Sequence, residues 1–207
     1  MLIILDLGAN DGCSILKFKD ILKKRNIENY KIYSFEPNPY FKNNLFKQEN
    51  ENVKIFMKIA GTRNSLTKLY LSQNNDKGST IYNDKTSNDI NKKIYLNCPE
   101  IDIASFIKQI KGDNELWVKM DVEGAEYKII PHLYEQDCIN MINKLYIEWH
   151  YDKIPSISEE FHYKVFNMVK NIEMHNWCAI SYSNIYNYNY KQFLKIVKNK
   201  LKNKENN

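Results

Sequence analysis

Strand-like apolar runs alternate with helix-like segments from the first residue, and this alternation constrains the fold more than any other feature of the chain. LIILDLG predicts a buried strand, and CSILKFKDILKKR predicts a helix with Ile15, Leu16, Phe18 and Leu22 on one face. KIYSFEP and NVKIFMKIAG predict two further strands, separated by the short helical segment YFKNNLFKQ. Strands joined by crossover helices form parallel sheets. The sequence therefore predicts an α/β, Rossmann-like fold, with a mostly parallel sheet and helices on both faces.

The second half of the chain continues the alternation. KLYLSQ and KIYLN predict strands, and Asp102 is a suitable N-cap for the helix IASFIKQI. ELWVKMD is the predicted central strand, KLYIEWHY a neighbouring strand and WCAISYS a late one. Ser156 and Glu159 have the spacing of a capping box at the start of a further helix. The apolar face of that helix is predicted to contain Phe161, Val165, Met168 and Ile172.

The 207 residues, 43% of them hydrophobic, suit a single domain spanning 1–207. The stretch 73–93 is polar and too long for an ordinary connection, which leaves two interpretations, a mobile lid or a solvated excursion. The tail, 191–207, predicts a basic amphipathic helix.

Composition excludes several classes of protein. The four cysteines are isolated, which fits a reducing compartment and indicates neither a disulfide framework nor a structural zinc site. The net charge of +5 is scattered rather than gathered into a patch, so nucleic acid is not an indicated partner. The apolar start MLIIL ends at Asp6, far short of a membrane span. We expect a soluble, cytoplasmic protein; its oligomeric state is left open.

A glycine-containing turn follows the first predicted strand. LDLGANDG places Gly8 and Gly12 where backbone can approach a ligand, but Asn10 stands where the G-x-G-x-x-G pattern has its second glycine. The second strand ends in Glu36, which is suited to accept hydrogen bonds from ribose hydroxyls. These features indicate an adenosine-containing ligand. Carboxylates such as Asp11 beside the loop favour positively charged S-adenosylmethionine over a pyrophosphate.

The string VKMDVEGAEYKII places three acids at a predicted strand-to-helix switch. Asp121 ends the central strand, Glu123 follows it, and Gly124 allows the chain to turn. For Glu126 we favour the structural interpretation, an acid in the first turn of a helix that interacts with the helix dipole. Ligands of open α/β sheets bind at the carboxyl ends of the strands, so Asp121 is expected at the site.

LDLGANDG, YSFEPNP, the AGT after the third strand, VKMDVEGAEYKII and YIEWH together resemble the FkbM family of S-adenosylmethionine-dependent methyltransferases. The resemblance runs from residue 3 to about 151, and its most specific part is the string at 119–126. It implies a class I methyltransferase fold and, in most family members, methylation of hydroxyls on sugars or small metabolites. It also implies a cofactor site formed by Asp6, Gly8, Ala9, Asn10, Asp11, Gly12, Glu36, Pro37, Asn38, Ala60, Gly61 and Asp121.

Methyl transfer to oxygen requires alignment of the two reactants and removal of one proton. Asp121, Glu123, Glu148 and His150 are the predicted catalytic residues, since the last two end the neighbouring strand and share a face by the two-residue period. No metal is included in this prediction. An alternative that we keep open is a divalent ion bound by Asp121, Glu123 and His150.

The main interpretation is therefore an O-methyltransferase acting on a small acceptor, a sugar or glycan. An RNA cap ribose 2′-O-methyltransferase is the second enzyme hypothesis. That group is expected to place a lysine before the glycine loop, where this sequence has only Met1 and Leu2 ahead of the first strand. A non-catalytic cofactor-binding module is the alternative from another class of protein.

Overall fold

The computed structural model describes residues 1–73, 77–86, 90–177, 195–199 and 201–203. Its strands are β1 (Leu2–Leu7), β2 (Tyr30–Phe35), β3 (Val53–Phe56), β4 (Ile59–Gly61), β5 (Ser65–Ser72), β6 (Ile90–Asp102), β7 (Glu115–Met120), β8 (Lys144–Ile147) and β9 (Glu173–Asn176). Its longer helices are α1 (Cys13–Lys24), α2 (Lys42–Phe46), α3 (Ile103–Ile110), α4 (Glu126–Glu135) and α5 (Glu159–Val169).

Among the described residues the main sheet has six strands in the order β3-β2-β1-β7-β8-β9, and every neighbouring pair is parallel. The strand order reverses at β1, which pairs with β2 on one side and with β7 on the other. Ligands of such sheets bind beyond the carboxyl ends of the strands at this reversal. The prediction of an α/β fold with a mostly parallel sheet is confirmed.

Helices cover both faces of the sheet, as predicted. Alternate side chains of β1 point to opposite faces, and both sets are buried. Leu2 and Ile4 pack into the core under α1, whereas Ile3 and Leu5 pack into the core under α3, α4 and α5. The predicted apolar face of α1 is wrong at Leu16, which is 56% exposed. At 100° per residue this side chain turns away from the sheet and towards the cavity described below.

A second, three-stranded sheet has the order β4-β6-β5, with β5 antiparallel to β6. The predicted single strand NVKIFMKIAG is therefore wrong, since it is two strands in two sheets. The chain leaves the main sheet through a tight turn in which the Lys58 N–H donates to the Phe56 carbonyl, 2.8 Å away.

Two helix starts and one turn were predicted from local pattern. Asp102 caps α3 as predicted, accepting hydrogen bonds from the main-chain N–H groups of the next turn. The capping box at Ser156 is wrong: Ser158 is the N-cap of α5, and its side chain accepts from the Phe161 N–H. The turn at Gly124 is confirmed, with φ 108° and the Ile154 side chain where a Cβ would stand.

The late strand of the described residues is β9, which ends at Asn176, one residue before WCAISYS begins. The predicted strand is therefore wrong for Trp177, and residues 178 to 183 lie outside the described part of the chain. Pairing with β8 sets this register. The Trp177 N–H still bonds to the Ile147 carbonyl, but its ring stacks on Phe18, with centroids 5.4 Å apart.

Residues 77–86 of the polar stretch are packed on the protein, so the solvated-excursion interpretation is wrong for them. Thr80 exchanges two main-chain hydrogen bonds with Tyr70, and the Thr86 N–H donates to the Lys153 carbonyl. Motion of this segment as a lid stays a prediction. In the tail, 195–199 and 201–203 are helical, and Val197 packs in the core of the second sheet. No helix in the described residues is long and apolar enough to cross a membrane.

Candidate active site at the carboxyl edge of the sheet

A cavity of about 770 Å³ lies at the carboxyl ends of the central strands. Its wall is formed by the loop after β1, the start of α1, the ends of β2, β7 and β8, part of β4, and residues 77–81. A volume of this size is within the range of small-molecule and cofactor sites. The reversal of strand order thus leaves a cavity at the sheet edge where the sequence predicts the site.

The loop after β1 depends on left-handed backbone. Gly8 has φ 84°, and a Cβ on it would overlap the Asp121 carbonyl oxygen. Asn10, with φ 50°, occupies the position where the common pattern has glycine, and asparagine tolerates this conformation better than most residues. The Asn10 side chain accepts a hydrogen bond from the Asp11 N–H at 2.9 Å. The Asp11 carboxylate accepts one from the Cys13 N–H at 3.0 Å.

Glu36, at the end of β2, connects two loops of the wall. One carboxylate oxygen accepts the Asn10 N–H at 2.9 Å, and the other accepts the Asn38 N–H at 2.8 Å. Burial raises the pKa of Glu36 to about 7, although both hydrogen bonds favour the ionised form. The carboxylate is therefore oriented at the cavity wall, where ribose hydroxyls would complete its hydrogen bonding.

Next to Glu36 the wall is apolar. Pro37, Ala60 and Leu69 line this side of the cavity, which suits a flat ring. Gly61 lies outside the wall, packed against the side chain of Glu100. Its contact with a cofactor stays a prediction.

Asp6 lies behind the wall, fully buried. Its Oδ2 accepts hydrogen bonds from the Ser14 hydroxyl at 2.6 Å and the Ser34 hydroxyl at 3.1 Å. Ser34 and Lys119 are its direct neighbours on the two adjacent strands, which explains why these polar groups meet inside the sheet. The structure gives Asp6 a supporting position rather than a place in the wall.

Lys119 is a buried cation whose role the sequence pattern did not predict. Its Nζ donates to the carbonyl oxygens of Leu7 and Gly8, and it lies 3.5 Å from both Asp6 Oδ1 and Asp121 Oδ2. Burial lowers the pKa of Lys119, but the charges of Asp121 and Asp6 outweigh burial and raise it. Lys119 therefore joins the glycine loop to the acid that ends β7.

Four predicted catalytic residues converge at the ends of β7 and β8. Asp121, Glu123 and Glu148 line the cavity, whereas His150 is completely buried behind them. The His150 Nε2 atom lies 3.5 Å from Glu123 Oε2, 3.6 Å from Glu148 Oε1 and 3.9 Å from Asp121 Oδ1. Burial, followed by the charge of Asp121, raises the pKa of Glu148.

Glu126 orients this histidine. It is the first residue of α4, which confirms the predicted helix-start position, yet it is fully buried. Its Oε1 accepts the Val122 N–H at 3.0 Å and lies 3.1 Å from His150 Nδ1. Burial lowers the pKa of His150, but the hydrogen bond to Glu126 and the charges of Glu126, Glu123 and Asp121 raise it to about 9.

Residues 77–86 bring a second buried cation to the acids. The Lys85 ammonium donates to Glu123 Oε2 at 2.5 Å and to the Gly78 carbonyl at 2.9 Å. The Thr80 hydroxyl donates to the Glu123 carbonyl at 2.6 Å. Burial raises the pKa of Glu123, but the charges of His150 and Lys85 lower it below its ordinary value.

Ligand atoms of Asp121, Glu123 and His150 lie within 4.8 Å of one another, which is close enough for one metal ion. The geometry therefore keeps open the divalent-ion alternative that the sequence suggested.

Most predicted site residues share the cavity wall. Those in the wall are Gly8, Ala9, Asn10, Asp11, Glu36, Pro37, Asn38, Ala60, Asp121, Glu123 and Glu148. Those outside it are Asp6, Gly12, Gly61 and His150. Lys119, Lys85 and Trp177 were missed. Lys119 had a signal, since it lies two residues before Asp121 on the same face of a buried strand, whereas Lys85 stands in a polar stretch without periodicity.

A glycine loop and a strand-end glutamate at the reversal of a parallel sheet are typical of one broad class of protein, the Rossmann-like proteins that bind an adenosine-containing ligand. The family model described as Methyltransferase FkbM domain matches residues 6–174. The chain belongs to the FkbM methyltransferase family.

A crystal structure of methyltransferase FkbM from Methylobacillus flagellatus KT has the same fold. It superposes with a TM-score of 0.50 and 13% sequence identity over 82% of this chain. This chain covers only 38% of that protein's chain. No curated protein matches the sequence.

Proposed function

We propose that this protein transfers a methyl group from S-adenosylmethionine to a hydroxyl of a small acceptor, a sugar or glycan. The observation that carries the proposal is the position of Glu36 and the acids Asp121 and Glu148 in the wall of one cavity. A cofactor site and a proton-accepting site thus open on the same space. Isolated cysteines favour the cytoplasm as the place of action.

The residues present fit the cofactor. The Glu36 carboxylate would accept hydrogen bonds from the ribose hydroxyls, and Ala60 would lie against the adenine. Near the glycine loop, the Asp121 carboxylate would stabilise the positive methionine end. When bound, S-adenosylmethionine supplies an electrophilic methyl group on a positively charged sulfur.

The acceptor site is acidic. Asp121, Glu123 and Glu148 line the cavity, and carboxylates accept hydrogen bonds from hydroxyl groups. Asp121 and Glu148 are the proposed proton acceptors, because they belong to the wall, whereas the Glu123 carboxylate in that wall is already bound by the Lys85 ammonium. His150 is separated from the cavity by these acids, and its proposed role is to position them. Acceptors with many hydroxyls and no negative charge fit such a surface, which favours neutral saccharides over phosphate-bearing RNA.

Incubation with isotopically labelled S-adenosylmethionine and a panel of sugars, glycans and short capped RNAs tests the proposal by mass spectrometry of the products. We expect label on saccharide hydroxyls. Label on capped RNA alone would favour the second enzyme hypothesis, and cofactor binding without any transfer would favour the non-catalytic module.

A further inference from the structure

His150 has one ring nitrogen that the described protein leaves without a partner. Its side chain is 1% exposed, and no hydrogen-bond partner for Nε2 exists among the described residues. A buried polar atom without a partner is costly, and it often marks a site for a ligand or ion. Nε2 faces three carboxylate groups at 3.5–3.9 Å, those of Asp121, Glu123 and Glu148.

The other ring nitrogen is held in place. Nδ1 lies 3.1 Å from Glu126 Oε1, and Glu126 is itself fixed by the Val122 N–H. A carboxylate that binds one imidazole nitrogen while the other faces oxygen ligands is the arrangement that orients metal-binding histidines in proteins. Glu126 therefore aims Nε2 at the acids.

We propose that Asp121, Glu123 and His150 bind a divalent cation of the Mn²⁺ and Mg²⁺ class at the cavity wall. Two carboxylates and one imidazole are a suitable ligand set for such an ion. Neighbouring ligands in an octahedral site are about 3 Å apart for metal–ligand distances near 2.1 Å. The observed separations of Nε2 from Glu123 and Asp121, 3.5 and 3.9 Å, exceed this by less than about 1 Å.

The charges of the cluster favour a cation. Four carboxylates lie around the His150 ring, those of Asp121, Glu123, Glu126 and Glu148. Among the described residues two ammonium groups contact these acids, Lys85 on Glu123 and Lys119 at 3.5 Å from Asp121. A divalent cation would add the missing positive charge and would take the Glu123 carboxylate when Lys85 moves off it. Lys85 is then a competitor of the ion, which distinguishes this site from a simple acidic surface.

A cation at this position would lower the pKa of an acceptor hydroxyl bound to it. That role rests on the proposed methyl transfer, whereas binding of the cation does not. Binding is therefore tested on the full chain without cofactor or acceptor, so that failure of the cation site and failure of the proposed function are separate results.

Titration with Mn²⁺, followed by the loss of the free-ion electron paramagnetic resonance signal, is the test. We expect one ion per chain, at least tenfold weaker binding in Glu123→Gln and His150→Gln, and several-fold tighter binding in Lys85→Met. His175→Gln is the matched control, since this histidine lies 42% exposed and bonds only to Glu173 among the acids of the described residues; its binding should equal that of the unmodified chain.

If His150→Gln does not fold, Glu123→Gln carries the test, because the Glu123 side chain is 23% exposed and less deeply buried than His150. Absence of Mn²⁺ binding at millimolar concentration would overturn the proposal, and so would equal affinity in Glu123→Gln and the unmodified chain.

Discussion

The Glu36 carboxylate accepts the Asn10 main-chain N–H at 2.9 Å and so joins the acid that follows β2 to the loop that follows β1. The two residues are 26 positions apart in the sequence. Because the same carboxylate faces the cavity, the shape of the loop and the ionisation of the acid are coupled.

S-adenosylmethionine should bind less tightly at acid pH. Burial raises the pKa of Glu36 to about 7, so the free protein carries this group largely protonated below pH 7 and ionised above it. Ribose hydroxyls prefer the ionised acceptor, so the dissociation constant should rise by up to about tenfold per pH unit below 7. Calorimetry measures the dissociation constant between pH 5.5 and 8.5, a range that extends about one to two units on either side of that pKa. Glu36→Gln should bind weakly with a flat profile; a flat profile in the unmodified chain would contradict the prediction.

Gly8→Ala should destabilise the protein by about 2–4 kcal/mol. The new Cβ would overlap the Asp121 carbonyl, and φ 84° adds strain. Urea unfolding measures the loss. Gly112→Ala is the control, since Gly112 also has positive φ but has space around it, and it should cost only about 1 kcal/mol. Equal losses would mean that the contact between the two loops is not tight.

Lys119→Met should cost about 3–5 kcal/mol in the free energy of unfolding, because it leaves Asp6 buried without a cation. The double variant Lys119→Met/Asp6→Asn should recover part of that loss. Lys24→Met removes an exposed pair with Asp20 and should cost less than about 1 kcal/mol. A small loss in Lys119→Met, similar to that of the control, would show that the buried charges are not coupled.

Much of this architecture follows from local patterns. Alternating apolar runs predict the sheet, and Glu36 and Asp121 are placed at its edge because parallel strands share a carboxyl end. The start of α5 was misplaced by two residues, since Ser156 and Ser158 offer the same hydroxyl to a helix. Long-range contacts leave no such signal: nothing near Lys85 in the sequence indicates that it reaches Glu123.

Thr80→Val should loosen the segment 77–86. The Thr80 hydroxyl donates to the Glu123 carbonyl and accepts a hydrogen bond from the Tyr82 N–H. Its removal leaves both groups without this partner, at a cost of about 1–2 kcal/mol. Hydrogen–deuterium exchange of this segment should become faster. Thr86→Val is the matched control, because the Thr86 hydroxyl makes an exposed bond to the Lys153 carbonyl. Unchanged exchange in Thr80→Val would refute a fastening role for this contact.

The most direct test of the proposed function is transfer of a deuterated methyl group from S-adenosylmethionine to a saccharide, compared between the unmodified chain and Asp121→Asn. Cofactor binding is measured in both by calorimetry. We predict a deuterated methyl group on a saccharide oxygen with the unmodified chain. With Asp121→Asn we predict that the rate of transfer falls by about 100-fold or more. Cofactor binding by the unmodified chain, with no labelled methyl group on any saccharide, would contradict the account.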